Sequence, residues 1–219
     1  MPTFATRRRE ELFDNLLALF LAEGFAHLTL DEIAARLHCS KSTLYTLAAS
    51  KDELVRRVSV HFFKRATAAV EAKLAHARTE RVAAYLTAVG DELAVASDVF
   101  MADLSANAGA REVYEGNTRS AAARVRQLIE EGVAAGTYRD VHASFAGDLI
   151  ATMMVRIQQR GVRDATGLSD AEAYAELAAL LTYGLIRPGA EAATVGVPPA
   201  ERGGEPGRAG RATKITARS

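Results

Sequence analysis

Apolar residues recur at spacings of three and four along most of the chain, the rhythm of helices that bury one face. Leu12, Phe13, Leu16, Leu17 and Phe20 make the first such stripe and predict a helix over residues 7–23. Gly24 stands where a left-handed residue would end it, with Phe25 available for the closing apolar contact. Thr29, Leu30, Asp31 and Glu32 then form a capping box, with Leu28 and Ile33 placed as a hydrophobic staple around it. The helix it opens is short and ends near Leu37. His38 and Cys39 make a tight turn, and Ser40 caps a third helix over residues 41–47. Two short helices joined by so tight a turn constitute a helix-turn-helix.

A second capping box, from Ser50 to Glu53, opens a long helix whose inner face is marked by Leu54, Val58, His61 or Phe62, Ala66 and Val70. Further helices are predicted over residues 81–96, 99–106 and 111–134. Gly132 and Gly136 close the last of these, and Thr137, Tyr138 and Arg139 form the connection that follows. The final pair spans residues 141–160 and 169–186. Ala146, Leu149, Ile150, Met153, Met154 and Ile157 give the first of the pair a broad apolar face. Ser169 and Glu172 cap the second, along which Tyr174, Leu177, Leu180, Leu181 and Leu185 follow until Pro188 and Gly189 stop it. From there to Ser219 the chain holds too few large apolar residues to offset the entropy of ordering, which predicts a disordered tail. The organisation is thus all-α: a three-helix helix-turn-helix domain over 1–51, a larger helical domain over 52–187, and a tail over 188–219.

Composition agrees with this reading. Apolar residues make up 49% of the chain, enough for a sizeable core, and runs rich in β-branched residues hardly occur. The 27 basic and 27 acidic residues cancel, so a nucleic-acid partner would be met through local patches rather than a long-range field. Cys39 is the only cysteine, which excludes an intrachain disulfide and suits a reducing cytoplasm. Arg7, Arg8 and Arg9 are followed by Glu10, Glu11 and Asp14, not by the apolar core of a signal peptide. No apolar run approaches the roughly 20 residues of a membrane span. A cytoplasmic protein without membrane contact is expected. His27, His38, His61, His76 and His142 are scattered, and neither metal-ligand spacing, a glycine-rich phosphate loop nor a nucleophile elbow occurs. No enzyme, metal or cofactor is expected.

The third helix carries the chemistry of a reading head. Its outer face offers Lys41, Ser42, Thr43, Tyr45 and Thr46, while Leu44 and Leu47 turn inward toward Ile33 and Leu37. Hydroxyls bond base edges or phosphates, lysine favours guanine edges or phosphates, and a threonine methyl can touch thymine. The helix starts at Thr29 and at Ser50–Lys51 offer free N–H groups to phosphates, Lys51 adds a cation, and Ser40 at the start of the third helix is a further DNA-binding candidate. Arg7, Arg8 and Arg9 are placed to reach an adjacent groove or the DNA backbone. The tail cations Arg202, Arg208, Arg211, Lys214 and Arg218 would add non-specific affinity or remain inert.

In order and spacing, Gly24–Phe25, the stretch from Leu28 to Ala34, that from Ser40 to Tyr45 and that from Ser50 to Leu54 resemble the N-terminal domain of TetR-family regulators. The remainder matches only in the order of helices. The resemblance implies a dimeric repressor of a palindromic DNA operator. In it Tyr45 and Lys51 contact phosphates, while Lys41, Ser42, Thr43 and Thr46 lie at or near bases. It implies that the helices over 141–160 and 169–186 pair with their copies in a four-helix bundle. It also implies a small-molecule effector site in the body, for which Phe62, Tyr85, Phe100, Met101, Tyr114, Met153 and Met154 are candidates, with Arg156 or Gln158 as polar anchors. So many apolar candidates predict an apolar effector. Effector entry would shift the long helix that starts at Lys51 and so change the separation of the two heads. Two positions depart from the pattern: His38 stands where the family has glycine in the turn, and Ala48 where it has an aromatic. Both features leave open an alternative, a helical dimer that binds a small molecule or protein and has lost DNA reading.

Overall fold

The computed structural model describes residues 4–185, and their regular structure is entirely helical. Phe4–Glu23 (α1), Leu30–Arg36 (α2) and Lys41–Leu47 (α3) form the head. Lys51–Leu74 (α4) leads into a body made of Arg81–Leu93 (α5), Asp98–Ala106 (α6), Ala108–Ala134 (α7), Ala143–Gln158 (α8), Gly161–Thr166 (α9) and Asp170–Leu185 (α10). The expected stop at Pro188 and Gly189, the tail and its cations lie outside the described residues. None of the described helices is long and apolar enough to cross a membrane.

Helix starts are fixed by side chains. The Thr29 N–H donates to Glu32 Oε2 at 2.7 Å, and Thr29 Oγ1 accepts from the Glu32 N–H at 3.2 Å, closing the predicted box. The bond from the Thr29 backbone holds the Glu32 carboxyl below its ordinary range. Ser169 and Glu172 repeat the arrangement at α10, with bonds of 2.8 and 3.3 Å. At α4 the box is shifted. Ser50 accepts from the Glu53 N–H, but the Glu53 carboxylate returns to the N–H of Ala49, not of Ser50. The cause is the extended backbone of Ala48, which turns the next N–H toward α4. The end of α3 is thereby tied to the start of α4.

Several boundaries differ from the periodicity. Helix α1 begins at Phe4, before the expected Arg7. Helix α5 stops at Leu93, short of residue 96, because Ser97 is needed as the cap of α6, accepting from the Phe100 N–H. Asn107 ends α6 and at once caps α7 through the Ala110 N–H, so α7 starts three residues before position 111. Arg160, at φ +65°, breaks the helix expected to run to residue 160, and the short α9 follows unpredicted. Gly132 does not close α7 but lies inside it, beneath the Tyr138 ring, where a Cβ would come within 2.9 Å of Tyr138 Cγ. The turn itself falls to Gly136, at φ +70°. Tyr138 is thus held against α7, and its hydroxyl accepts from the Val82 N–H at 3.0 Å. That bond caps α5, whose own preceding residue, Glu80, makes no side-chain cap.

Helix α4 is packed by α5 and α7, α10 lies along α5, and α8 lies along α7. Helix α1 rests on α4 and α6, so that the head's Leu16 and Phe20 join one apolar core with Leu86, Leu104 and Val125. On α4 it is Phe62 that points into this core. His61 stays half-exposed and bonds Asp14 on α1 at 2.9 Å, and Ala66 is half-buried.

Candidate functional site

The head presents its third helix outward. Leu44 and Leu47 are buried against the core, while Lys41, Ser42, Tyr45 and Thr46 are exposed and Thr43 is half-buried. Ser40 Oγ accepts from the Thr43 N–H and lies 2.8 Å from both Ser42 Oγ and Thr43 Oγ1, so three hydroxyls sit together at the entering end of α3. Thr46 Oγ1 donates to the Thr43 carbonyl, which leaves its methyl as the free contact group. Lys41 Nζ is 2.9 Å from Asp31 Oδ2, an exposed pair that either partner can leave at little cost. Lys51 Nζ donates to the Ala26 carbonyl at 2.9 Å, binding the start of α4 to the turn between α1 and α2.

The helix starts were expected to offer free N–H groups, and the structure corrects this in part. A helix start leaves four donors without helical partners. At Thr29 two of them, those of Thr29 and Glu32, are consumed by the capping box. Arg8 and Arg9 line a cleft of about 450 Å³ together with His38, Thr43 and Thr46, which brings N-terminal cations beside the outer face of α3.

His38 adopts φ +49°, the conformation for which glycine serves best, yet the turn closes normally. The His38 N–H donates to the Ala35 carbonyl and that of Cys39 to the Ala34 carbonyl at 3.0 Å. Ala48 is buried beside Leu47, so the missing aromatic leaves α3 seated. His38→Gly should therefore raise stability by up to ~1 kcal/mol, the left-handed strain relieved less the entropy of glycine. A thermal melt checks this, and a lowered melting temperature would show that the imidazole makes contacts worth more than the strain.

Head and body are coupled through α6. Asp103 on α6 accepts from the N–H groups of Phe25 and Ala26 at 2.6 and 2.8 Å, and the Ser97 N–H donates to Leu21. Gly24, at φ +78°, has Asp103 Oδ2 and Val99 Cγ1 each 2.6 Å from where a Cβ would stand. At its start α6 is held by Asp98, which pairs with Arg160 and Arg163 beside α9. Burial is shared by a row of rings: Phe25 meets Phe100 at 6.0 Å, Phe100 meets Phe62 at 5.6 Å, Phe62 meets Phe63 at 4.9 Å, and Phe63 stacks on Tyr114 at 5.1 Å.

The row ends at a cavity of about 250 Å³ between α4, α5 and α7. Of the candidate ligand residues, Tyr85, Tyr114 and Met154 line it. Phe62, Phe100 and Met101 are instead buried in the core, because their helices turn those faces toward the head, and Met153 is half-buried away from the cavity. Arg156 is exposed, and buried Gln158 borders a separate, smaller pocket with Ser105 and Tyr114. Residues that the sequence did not name as ligand candidates complete the lining. Phe63 and Tyr174 lie inside, and Glu71, Glu92 and Arg124 are part-exposed at its edge. Arg124 forks onto Glu71 at 2.9 and 3.2 Å, a pairing that spans α4 and α7 and that no single-helix pattern reveals.

The last two helices divide their apolar residues between two faces. Ile150, Met154 and Ile157 of α8 and Tyr174 and Leu185 of α10 are buried within the chain. Leu149 and Leu180 are exposed, and so are Phe145 and Tyr183, which the sequence reading did not include. The broad face expected for pairing thus mixed the two sides.

The outward third helix and the tight turn before it make a helix-turn-helix head, carried on a larger helical body. Residues 12–58 match the model of a family described as bacterial regulatory proteins, tetR family. Most of the chain shares its fold with solved structures. A TetR transcription regulator from Haloarcula marismortui ATCC 43049 is 17% identical, with a TM-score of 0.63 over 83% of this chain and 99% of that one. The regulator FadR from Bacillus subtilis, in complex with stearoyl-CoA, is 13% identical, with a TM-score of 0.59 over 80% and 98%. A protein from Saccharomonospora viridis named as a transcriptional regulator, in complex with choline, is 16% identical, with a TM-score of 0.64 over 83% and 98%. No curated protein matches the chain in sequence. The head thus carries the sequence match to the tetR family, and the body shares its fold with these structures.

Proposed function

We propose that the chain is a non-enzymatic, cytoplasmic, ligand-responsive repressor that binds a palindromic operator as a homodimer, with residues 1–51 as reader and 52–187 as sensor and dimerisation domain. The observation that carries this reading is the split of α3, with Leu44 and Leu47 buried and Lys41, Ser42, Tyr45 and Thr46 facing out. In the major groove the hydroxyls near Ser40 and the Thr46 methyl meet base edges, and Tyr45, Lys51 and the Thr29 helix start meet phosphates. Pairing falls to the exposed face of Phe145, Leu149, Leu180 and Tyr183, since a monomer seldom leaves so many large apolar side chains together in water. The complexes with choline and stearoyl-CoA of two proteins of the same fold support a small-molecule site in the body. The cavity wall on α4 and the ring row to Phe25 give an effector a continuous packed route to the head, on which it would favour one of two arrangements.

Selection of the protein against random duplex DNA tests the reading. Enrichment of a palindrome with half-sites about one helical turn apart is expected. No enrichment at low salt from a folded protein would overturn it. On the selected site, Thr43→Ala should relax preference at one base pair by about 1–3 kcal/mol. Lys51→Ala should weaken all sequences alike and lower the salt slope by about one. Equal losses for Thr43→Ala on specific and random DNA would remove its base-reading role.

A further inference from the structure

The turn between α2 and α3 carries a side chain that the fold does not need. His38 is exposed, and its bond to the rest of the head comes from the backbone N–H, not from the ring. Its φ of +49° is one that glycine adopts without strain. Backbone strain persists where the surroundings hold it, and it clusters at sites of function. The surroundings here are the cleft of about 450 Å³ between α1 and α3. His38 lines it together with Arg8 and Arg9 of α1 and with Thr43 and Thr46 of α3. Arg9 lies over the Phe13 ring at 6.0 Å, and among the described residues neither arginine enters an ion pair. Glu11 is the one carboxylate in the lining. Cys39, the remaining titratable group there, stays neutral, since burial pushes its thiol up. The cleft is therefore positive, and more so when the imidazole is protonated.

A helix with its side chains is about 10–12 Å across and the major groove about 12 Å wide, so a helix seated there has a phosphate strand along each flank. Lys41 and Tyr45, exposed and four residues apart, lie on one flank of α3. Thr43 and Thr46, and with them the cleft, lie on the other. We infer that the cleft is a phosphate clamp, in which protonated His38 joins Arg8 and Arg9 on the operator strand along that flank and makes operator affinity depend on pH. The inference rests on the operator-binding reading above. It adds a residue at a position that glycine, without a side chain, fills in the TetR-family pattern. A neutral imidazole offers a phosphate one ordinary hydrogen bond, and an imidazolium offers a charge-assisted one. Histidine changes between these forms in the range of pH 5 to 8. A phosphate favours the charged ring, so the complex holds the proton more tightly than the free head does. Affinity therefore rises as pH falls through this range. Glu11, facing the same cleft, competes with the phosphate for the three cations and limits the gain. Thr43 and Thr46, on the α3 wall, carry no charge.

Fluorescence anisotropy of the full chain on the selected palindrome, between pH 6 and pH 8 at fixed ionic strength, tests the clamp. Affinity should fall by about tenfold over that range, because each of two heads gives up one charged contact. The salt slope at pH 6 should exceed that at pH 8 by about two, one phosphate for each head. Asparagine accepts the left-handed turn and does not ionise. His38→Asn should accordingly bring the affinity at pH 6 down to the parent's at pH 8 and flatten the profile. His27→Gln removes the exposed histidine beside the Thr29 cap and should leave the profile as it is in the parent. Glu11→Gln should tighten binding at both pH values. A flat profile in the parent, equal salt slopes at pH 6 and pH 8, or a dependence that survives His38→Asn or vanishes with His27→Gln would each overturn the clamp. The parent's own profile and slopes decide the matter even where a variant fails to fold. A palindrome bound equally at pH 6 and pH 8 leaves the operator reading standing and removes only the clamp. A folded parent that binds no duplex at either pH removes both.

Discussion

Replacing Leu180 and Tyr183 together by glutamate is expected to leave the protein helical, to make it monomeric, and to weaken its binding to a palindromic operator by at least about a hundredfold. The two side chains are 72% and 82% exposed in the single chain, so no internal packing is lost with them. They lie at spacing three on α10, on the side opposite buried Tyr174 and Ala178, and α8 contributes Phe145 and Leu149 at spacing four. A charge placed in the middle of such a face must be desolvated and unpaired when two copies meet, at a cost of several kcal/mol. The loss on DNA follows from geometry: a dimer engages two half-sites at once, and a monomer has only one reading helix to offer. Sedimentation measures the oligomeric state, and fluorescence anisotropy on the selected palindrome measures the affinity. A variant that remains dimeric would place the interface elsewhere on the body, and one that is monomeric yet binds undiminished would remove the two-headed reader.

Much of the head was legible because its signals are local. Thr29 with Glu32, Ser40, and Gly24 before Phe25 each specify a backbone conformation through side chains within four residues, and each is found as expected. The body was legible as helices but not as faces. Periodicity marks which side of a helix is apolar, and an α8 that is apolar on two sides, with Ile150 inward and Leu149 outward, gives one blurred stripe. The contacts that organise function are long-range in sequence. Asp103 capping the Phe25 turn, Tyr138 capping α5, and Glu71 gripping Arg124 join residues more than fifty positions apart. Such pairs carry no spacing rule, so neither the cavity's carboxylates nor the hold of α6 on the head could be read from the chain. The one misplaced box, at Ser50, shows the same limit on a smaller scale, since the conformation of Ala48 decides which N–H the Glu53 carboxylate reaches.

Phe100 is where these long-range contacts converge, and its truncation should have the largest effect on stability. The side chain is wholly buried and makes edge contacts with Phe25 of the head and Phe62 of α4. Phe100→Ala removes the transfer energy of the ring and leaves a hole that neighbouring helices fill only in part, for a loss of about 3–5 kcal/mol. For a protein of this size that lowers the melting temperature by on the order of ten degrees. Phe100→Leu keeps most of the volume and should cost less than about 1.5 kcal/mol. The two variants separate packing from communication. The leucine variant should still bind operator, because α3 and its caps are untouched, but a ligand in the cavity should release it less well. The reason is that Phe63 and Tyr114 at the cavity wall reach the head's Phe25 through Phe62 and Phe100, and the edge-on ring contacts at that step have no aliphatic equivalent. Thermal melts give the stability arm, and operator affinity with and without a small molecule bound in the cavity gives the coupling arm. An alanine variant within about 1 kcal/mol of the parent would mean that head and body are not joined through this ring. A leucine variant with unchanged release would leave the Asp103 bonds to Phe25 and Ala26 as the path by which α6 moves the head.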